Sequence, residues 1–254
     1  MSDITELPRA LRELGVRPGG VLMVHASLSG TGWSATGVRD ALLTVLGPDG
    51  TLVVPAFTPE NSDTSPAYHR LTEGMTAREK AEFRAAMPPF EPNATPCPAM
   101  GALAECVRTT PGAVRSAHPQ TSFAALGARS EELLAAHDPH CHLGERSPMA
   151  ALYAADAQVL LLRVGFEVCT AFHLAEYRMT PPPPTRTYRC VVEDKGNWIE
   201  YEDLSLHDDD FGAIGALLPH DLFKEREFTG KPAFLFGMRD AVDTGLHLMS
   251  GYRS

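Results

Sequence analysis

The 254-residue sequence has no uninterrupted apolar run approaching the roughly 18–20 residues that a membrane span requires. Its opening stretch, MSDITELPRALRELG, carries acids early and lacks an apolar h-region, so it does not read as a secretory signal. Cysteine is sparse: Cys97, Cys106, Cys141, Cys169 and Cys190 are odd in number, scattered, and without the C-x-x-C spacing of zinc or redox sites. Free thiols in a reducing compartment fit that pattern, and a soluble cytoplasmic protein is expected. A basic stripe is also missing. At a net charge of −10 nothing offsets the repulsion of a phosphate backbone, which argues against nucleic acid, whereas a polycationic ligand would be attracted. There is no G-x-S-x-G elbow, no P-loop lysine motif and no G-x-G-x-x-G fingerprint, so hydrolase, ATPase and Rossmann dehydrogenase readings lose their main support. No internal repeat is found.

What is present is ordinary for a globular protein: 44% hydrophobic and 21% charged residues leave no case for disorder, collagen or a coiled coil. The length admits one large α/β domain or two small ones, with one core as the default. Ile4, Leu7, Leu11 and Leu14 recur at helical spacing before Gly15, predicting a first helix with a glycine C-cap. The run from Gly20 to His25 predicts a buried strand ending on a histidine, followed by a small-residue loop to Gly32. A helix over 36–46 and a strand over 51–55 complete a β-loop-α-β unit, for which parallel pairing is expected. Residues 56–98 are rich in Pro, Thr, Asn and Glu, with one helix near 76–86, and so long an insertion reads as a lid or binding segment. Helices are expected over 99–108, 130–137 and 148–154, the last capped by Ser147, with strands over 122–126 and 158–164. Another helix starts near Thr170. After the prolines Pro181 to Pro184, segments 187–193 and 197–202, joined by Asp194-Lys195-Gly196, predict a hairpin at which a smaller C-terminal subdomain would begin, near residue 185. A helix near 209–217, a strand near 233–236 and a final helix over 238–250 complete the pattern.

The segment Cys169-Thr170-Ala171-Phe172-His173-Leu174-Ala175-Glu176-Tyr177-Arg178 opens just after an apolar strand, where α/β proteins place functional groups. On a helix, His173 and Glu176 share a face. A carboxylate beside an imidazole raises its basicity and fixes its tautomer, as a general base acting on an amine requires; a plain surface pair has the same spacing. Cys169, four residues before His173, is either a thiolate nucleophile with a histidine partner or a buried thiol. Three polar islands sit at element boundaries: His25-Ala26-Ser27-Leu28-Ser29, His118-Pro119-Gln120-Thr121-Ser122-Phe123 and Gly144-Glu145-Arg146-Ser147-Pro148-Met149. Such loops offer backbone N–H groups to phosphates, amide carbonyls or a developing oxyanion, or act only as caps and turns. His137, His140 and His142 with Cys141 invite a metal reading, but H-x-x-H-x-H in a Pro-containing loop matches none of the usual zinc patterns.

Taken in order, these blocks resemble the aminoglycoside 3-N-acetyltransferase, or antibiotic N-acetyltransferase, family. They are V-H-A-S-L-S-G-T-G at Val24 to Gly32, G-P-D-G-T-L-V-V-P-A-F-T at Gly47 to Thr58, and R-S-A-H-P-Q-T-S-F-A-A-L-G at Arg115 to Gly127. G-E-R-S-P-M at Gly144 to Met149 and C-T-A-F-H-L-A-E-Y-R at Cys169 to Arg178 follow. The resemblance implies a single α/β domain over 1–254 with a mixed central sheet flanked by helices, a non-GNAT acetyltransferase fold in which the hairpin and following helix form a small subdomain. It also implies acetyl-coenzyme A as co-substrate, no metal, and a polycationic amine acceptor, with antibiotic resistance as the associated role.

On this resemblance His173 is the general base, Glu176 its support and Thr170 a stabiliser of the oxyanion, with transfer direct rather than through an acyl-enzyme. His25, Ser27, Leu28, Ser29, His118, Ser122, Phe123 and Ser147 are the expected co-substrate contacts. Glu60, Glu91, Glu167, Asp209 and Asp210 are candidates to meet the ammonium groups of the acceptor, each also readable as a solvated surface acid. Arg163 departs from the family pattern, in which its place in L-L-x-V-G is often glycine, and brings a long cation near the active strand. A biosynthetic N-acetyltransferase of another small amine and a non-catalytic ligand-binding relative are the alternatives; a homodimer is compatible with each.

Overall fold

A computed structural model describes residues 4–192 and 197–253. Leu7, Leu11 and Leu14 form the buried face of α1 (Leu7–Leu14), which Gly15 ends at φ 110°, a conformation glycine adopts without a Cβ clash. After β1 (Val21–Ala26), Ser34 caps α2 (Ala35–Leu46) by accepting a hydrogen bond from the Gly37 N–H. β2 (Thr51–Pro55) pairs with β1 in parallel, as expected, with Leu22 opposite Leu52. The insertion beyond it holds α3 (Pro66–Leu71) and α4 (Ala77–Ala86); α4 buries none of its residues and stands on a reciprocal cap between Thr76 and Glu79. Next come α5 (Gly101–Arg108), the short β3 (Val114–Arg115), β4 (Phe123–Gly127), α6 (Ser130–Leu134) and α7 (Pro148–Ala154), the last capped by Ser147. β5 (Gln158–Leu162) leads to α8 (Ala171–Arg178), the hairpin strands β6 (Thr185–Val191) and β7 (Trp198–Leu204), and α9 (Phe211–Ala216). β8 (Phe223–Phe228), β9 (Lys231–Gly237) and α10 (Met238–Tyr252) follow.

Among the described residues, seven strands form one mixed sheet in the order β3-β4-β2-β1-β5-β9-β8. β2, β1 and β5 are parallel, and the flanking strands run antiparallel, with Val53 opposite Ala125 and Leu160 opposite Leu235. The near-continuous apolar runs of the central strands suit this position, because helices cover both faces. Successive side chains divide between them: Leu22, Val24, Leu160 and Leu162 join a core with α1, α2 and α5, whereas Met23, Val159 and Leu161 join one with α7, α8 and α10. At Gly127 a Cβ would stand 2.1 Å from the Gly50 carbonyl oxygen, so the end of β4 and the turn before β2 meet backbone to backbone.

The hairpin forms its own two-stranded sheet, and its expected turn, Asp194-Lys195-Gly196, lies outside the described residues. The chain after the hairpin does not continue away from the body: β8 and β9 return to the main sheet beside β5. Val191 and Trp198 of the hairpin pack on Tyr68, Phe83 and Met87 of the insertion, and Arg189 reaches Asp63 at 3.0 Å. The strand expected over 158–164 stops at Leu162, because Arg163 takes a φ of 62°. No helix of the described residues is long and apolar enough to cross a membrane.

Candidate active site

Beyond the carboxyl ends of β1 and β5, a cleft of about 730 Å³ is bordered by His25, Ser27, Trp33, Val164, Thr170 and His173. Open α/β sheets place ligands at this end of their strands. Apolar groups such as Met100, Leu103 and Phe211 dominate the lining, with a few polar side chains among them, the make-up of a small-molecule pocket.

α8 supplies the central pair. Ala171, Phe172, Leu174 and Ala175 are buried on its inner face, which turns His173 toward the cleft and Glu176 into the protein. The His173 Nδ1 lies 2.5 Å from the Glu176 Oε2, with the imidazole 14% exposed and the carboxylate fully buried. A carboxylate on Nδ1 selects the tautomer that carries its proton there, leaving the Nε2 lone pair as the basic atom. The Phe211 ring, 4.8 Å away, packs against the imidazole. Behind Glu176, Arg253 donates to Oε1 at 2.7 Å, and its Nε and Nη2 donate to the two oxygens of Asp210 at 2.7 and 2.6 Å. That hydrogen-bonded pair holds the Asp210 carboxyl below its usual range. Glu176 is thus gripped from both sides, and its carboxylate plane, which aims His173, is fixed.

His25, at the end of β1, is the second imidazole of the cleft. Burial, with the nearby His173 charge as a smaller cause, pushes it down to about 4, so it is neutral near pH 7. Its Nε2 is buried and has no hydrogen-bond partner among the described residues. Cys169, one residue before Thr170, is fully buried and its thiol is pushed up to about 12 by that burial. At that value the thiolate is scarce near neutral pH, which decides between the two readings of Cys169 in favour of a buried thiol.

The sequence profile described as "Aminoglycoside 3-N-acetyltransferase" (Antibiotic_NAT) matches residues 23–250. The chain belongs to this family of enzymes. It is 34% identical over 243 residues to the SPbeta prophage-derived aminoglycoside N(3')-acetyltransferase-like protein YokD of Bacillus subtilis (strain 168), covering 92% of this chain and 87% of that one. The YokD crystal structure matches with a TM-score of 0.88 at 30% identity over 98% of both chains. Aminoglycoside N(3)-acetyltransferase VII of Streptomyces paromomycinus is 33% identical over 272 residues, covering 96% of this chain and 90% of that one. A structure described as "AAC-IIIb binary with CoASH" matches with a TM-score of 0.83 at 27% identity, covering 99% and 97% of the two chains.

Of the residues singled out from the sequence of this acetyltransferase-family chain, His25, Ser27, Leu28, Ser29, Glu167, Thr170 and His173 border the cleft together. Four do not. The His118 Nδ1 accepts hydrogen bonds from the Gln120 and Thr121 N–H groups, in a buried cluster with His137, His142 and Tyr201. The Ser122 hydroxyl donates to the Ala56 carbonyl and accepts from the Arg115 Nε, both at 2.9 Å. Phe123 is buried core, edge-on to the cleft residue Phe57. Ser147 caps α7, accepting from the Met149 N–H and donating to the Gly144 carbonyl.

The acids divide as well. Glu167 borders the cleft, whereas Glu91 and Asp209 are exposed and, with Glu60, lie outside its lining among the described residues. Asp210 is committed to Arg253, and its neighbour Asp208 reaches the cleft instead. The half-buried His137 and the buried His142 spend their nitrogens on hydrogen bonds: His137 with Ser116 and the His142 carbonyl, His142 with Asp203, Gln120 and Tyr201. Trp33, Asp208, Phe211 and Arg253 were not singled out for roles at the site by sequence reasoning. Arg253 carries no local signal, since 77 residues separate it from Glu176.

Proposed function

We propose that this chain transfers the acetyl group of acetyl-coenzyme A directly to the 3-amino group of an aminoglycoside, with His173 as general base. The observation that carries the reading is the His173–Glu176 dyad, oriented from behind by Arg253 and opening on a cleft of about 730 Å³ beside Thr170 and His25. That volume falls within the range of small-molecule sites, and the apolar lining suits a pantetheine arm. The printed names of relatives add support: one solved structure is described with CoASH, and the curated relatives are aminoglycoside N(3)-acetyltransferases or like them.

The amine reaches the enzyme mostly as an ammonium and cannot attack until it loses a proton. The His173 Nε2 takes that proton while Glu176 stabilises the imidazolium. The freed lone pair then forms the N–C bond to the thioester carbonyl, whose electrons move onto oxygen. Thr170 borders the cleft, and its hydroxyl is the donor to this oxyanion. When the carbonyl re-forms, the C–S bond breaks, the departing coenzyme A thiolate takes the proton from His173, and the freed imidazole passes the second proton of the attacking nitrogen to solvent, leaving a neutral amide. Cys169 needs no part in this sequence, and no acyl-enzyme forms. Glu167 and Asp208 at the cleft, within a chain of net charge −10, favour an acceptor bearing several ammonium groups.

The test is a panel of amines assayed by release of free thiol from acetyl-coenzyme A. Kanamycin- and gentamicin-like compounds are expected to turn over, with the product acetylated at N3 by NMR. Turnover of a different small amine with none on these compounds overturns the acceptor assignment.

A further inference from the structure

Arg163 stands where the ladder between the two central strands stops. The last paired residues of β1 and β5 are Ala26 and Leu162, and the Ser27 N–H still donates to the Leu162 carbonyl at 3.0 Å. The next residue on the β5 side is Arg163, with a φ of 62°, a left-handed conformation that side chains bearing a Cβ rarely adopt. Its side chain then continues the connection. Nη1 donates to the carbonyls of Ser27 and Ser29 at 2.8 and 2.9 Å, and Nε donates to the Phe228 carbonyl at 3.1 Å. Arg163 is 4% exposed, and no carboxylate pairs with it among the described residues. A strained backbone and a buried cation both cost stability; here they are spent on three backbone carbonyls, two of them in the loop that borders the cleft.

We propose that Arg163 is a positioning residue for the acyl-coenzyme A subsite: it fixes the peptide planes of the Ser27–Gly30 loop and so sets co-substrate affinity. In a trans peptide the carbonyl and the following N–H point in opposite directions. With the Ser27 oxygen turned onto Arg163, which is not among the cleft's lining residues, the N–H of the cleft residue Leu28 faces away from it, and the Ser29 oxygen held by the same Nη1 fixes the far end of the loop. The Leu28 donor is matched to an amide or thioester carbonyl of a pantetheine arm. A planar fork directs its donors along fixed, separate lines, Nη1 to the loop and Nε to Phe228; a lysine ammonium has three donors but on one freely rotating atom, so it holds both segments less firmly. The inference rests on the acetyl-coenzyme A reading above.

The experiment uses the full chain with Arg163→Gly, which removes the fork and relieves the positive φ, and with Arg163→Lys. Steady-state kinetics for both substrates are combined with calorimetric titration of coenzyme A and thermal melting. In the folded Arg163→Gly protein, KM for acetyl-coenzyme A and Kd for coenzyme A are expected to rise about tenfold or more, a loss of the size that preorganised contacts supply. KM for the amine and kcat at saturation should stay within about threefold, with Arg163→Lys in between. Values of KM and Kd within twofold of wild type in a folded variant overturn the proposal, as does an equal rise in the amine KM. Should Arg163→Gly not fold, the same criteria apply to Arg163→Lys. A wild-type protein that neither binds coenzyme A nor transfers acetyl instead sinks the reading of the reaction, and the two failures are thereby told apart.

Discussion

Replacing Arg253 with methionine tests whether the groups behind Glu176 matter to catalysis. The 2.7 Å contact between Arg253 and Glu176 corresponds to a Coulomb attraction of about 6 kcal/mol at an effective dielectric of ~20, much of it offset by the desolvation of both groups. Glu176 is fully buried, but Arg253 and Asp210 are 13% and 14% exposed, so water reaches part of the chain of contacts. Arg253→Met is therefore expected at the lower end of the range for breaking a buried pair, about 3 kcal/mol of stability. Its catalytic cost arises through the released carboxylate, which lets the imidazole tilt; misplacement of a catalytic group by about 1 Å corresponds to roughly 10- to 100-fold in kcat. Asp210 touches Glu176 only by way of Arg253. Asp210→Asn should accordingly lower kcat several-fold in the wild-type background and have little effect in R253M, a coupling that a double-mutant cycle measures. The assay is thiol release at saturating concentrations of both substrates, paired with urea unfolding of all four proteins. A kcat for R253M within twofold of wild type, or fully additive losses in the cycle, refutes the reasoning.

Cys169→Ala should retain most of its turnover, because the thiol is buried and held near 12; loss of activity in a folded variant would show that the sulfur takes part. Acid sensitivity follows from His25 and His137, both pushed down to about 4 by burial. Each stays neutral in the fold but protonates near 6.5 when unfolded, so the stability they contribute is complete above that value and is lost as pH falls from about 6.5 toward 4, by as much as ~3 kcal/mol per group. Urea midpoints at pH 7.5 and 5 should differ accordingly; equal midpoints and slopes contradict the burial of neutral imidazoles.

The sequence revealed this fold where one signal sufficed. The apolar runs at Val21–Ala26, Thr51–Pro55 and Gln158–Leu162 read as buried strands because helices cover both faces of the central sheet. Ser147 and Thr76 marked helix starts, since a cap is a contact within a few residues. β8 was hidden because Phe-Lys-Glu-Arg-Glu-Phe puts charge on the inner positions of a strand whose outer edge meets water. At the site, His173 and Glu176 were legible as neighbours on one helical turn. The polar islands were ambiguous for the same reason that they attracted notice: Ser122 and Ser27 look alike in sequence, yet one hydroxyl is consumed by Arg115 and Ala56 while the other residue borders the cleft. Arg253, which follows the last turn of α10, and Asp210 and Phe211 at the start of α9 reach the dyad by tertiary packing, which no local spacing encodes.

The most direct test of the central claim is the turnover of His173→Ala with coenzyme A binding measured on the same sample. His173 is 14% exposed at the cleft wall and is one of two partners of the buried Glu176, so its removal should lower the melting temperature, while Arg253 still holds the carboxylate and coenzyme A affinity stays close to wild type. A general base contributes about 10²- to 10⁴-fold, and kcat is expected to fall by at least about 100-fold. Turnover within tenfold of wild type, in a variant that still binds coenzyme A, contradicts the assignment of His173 as the base.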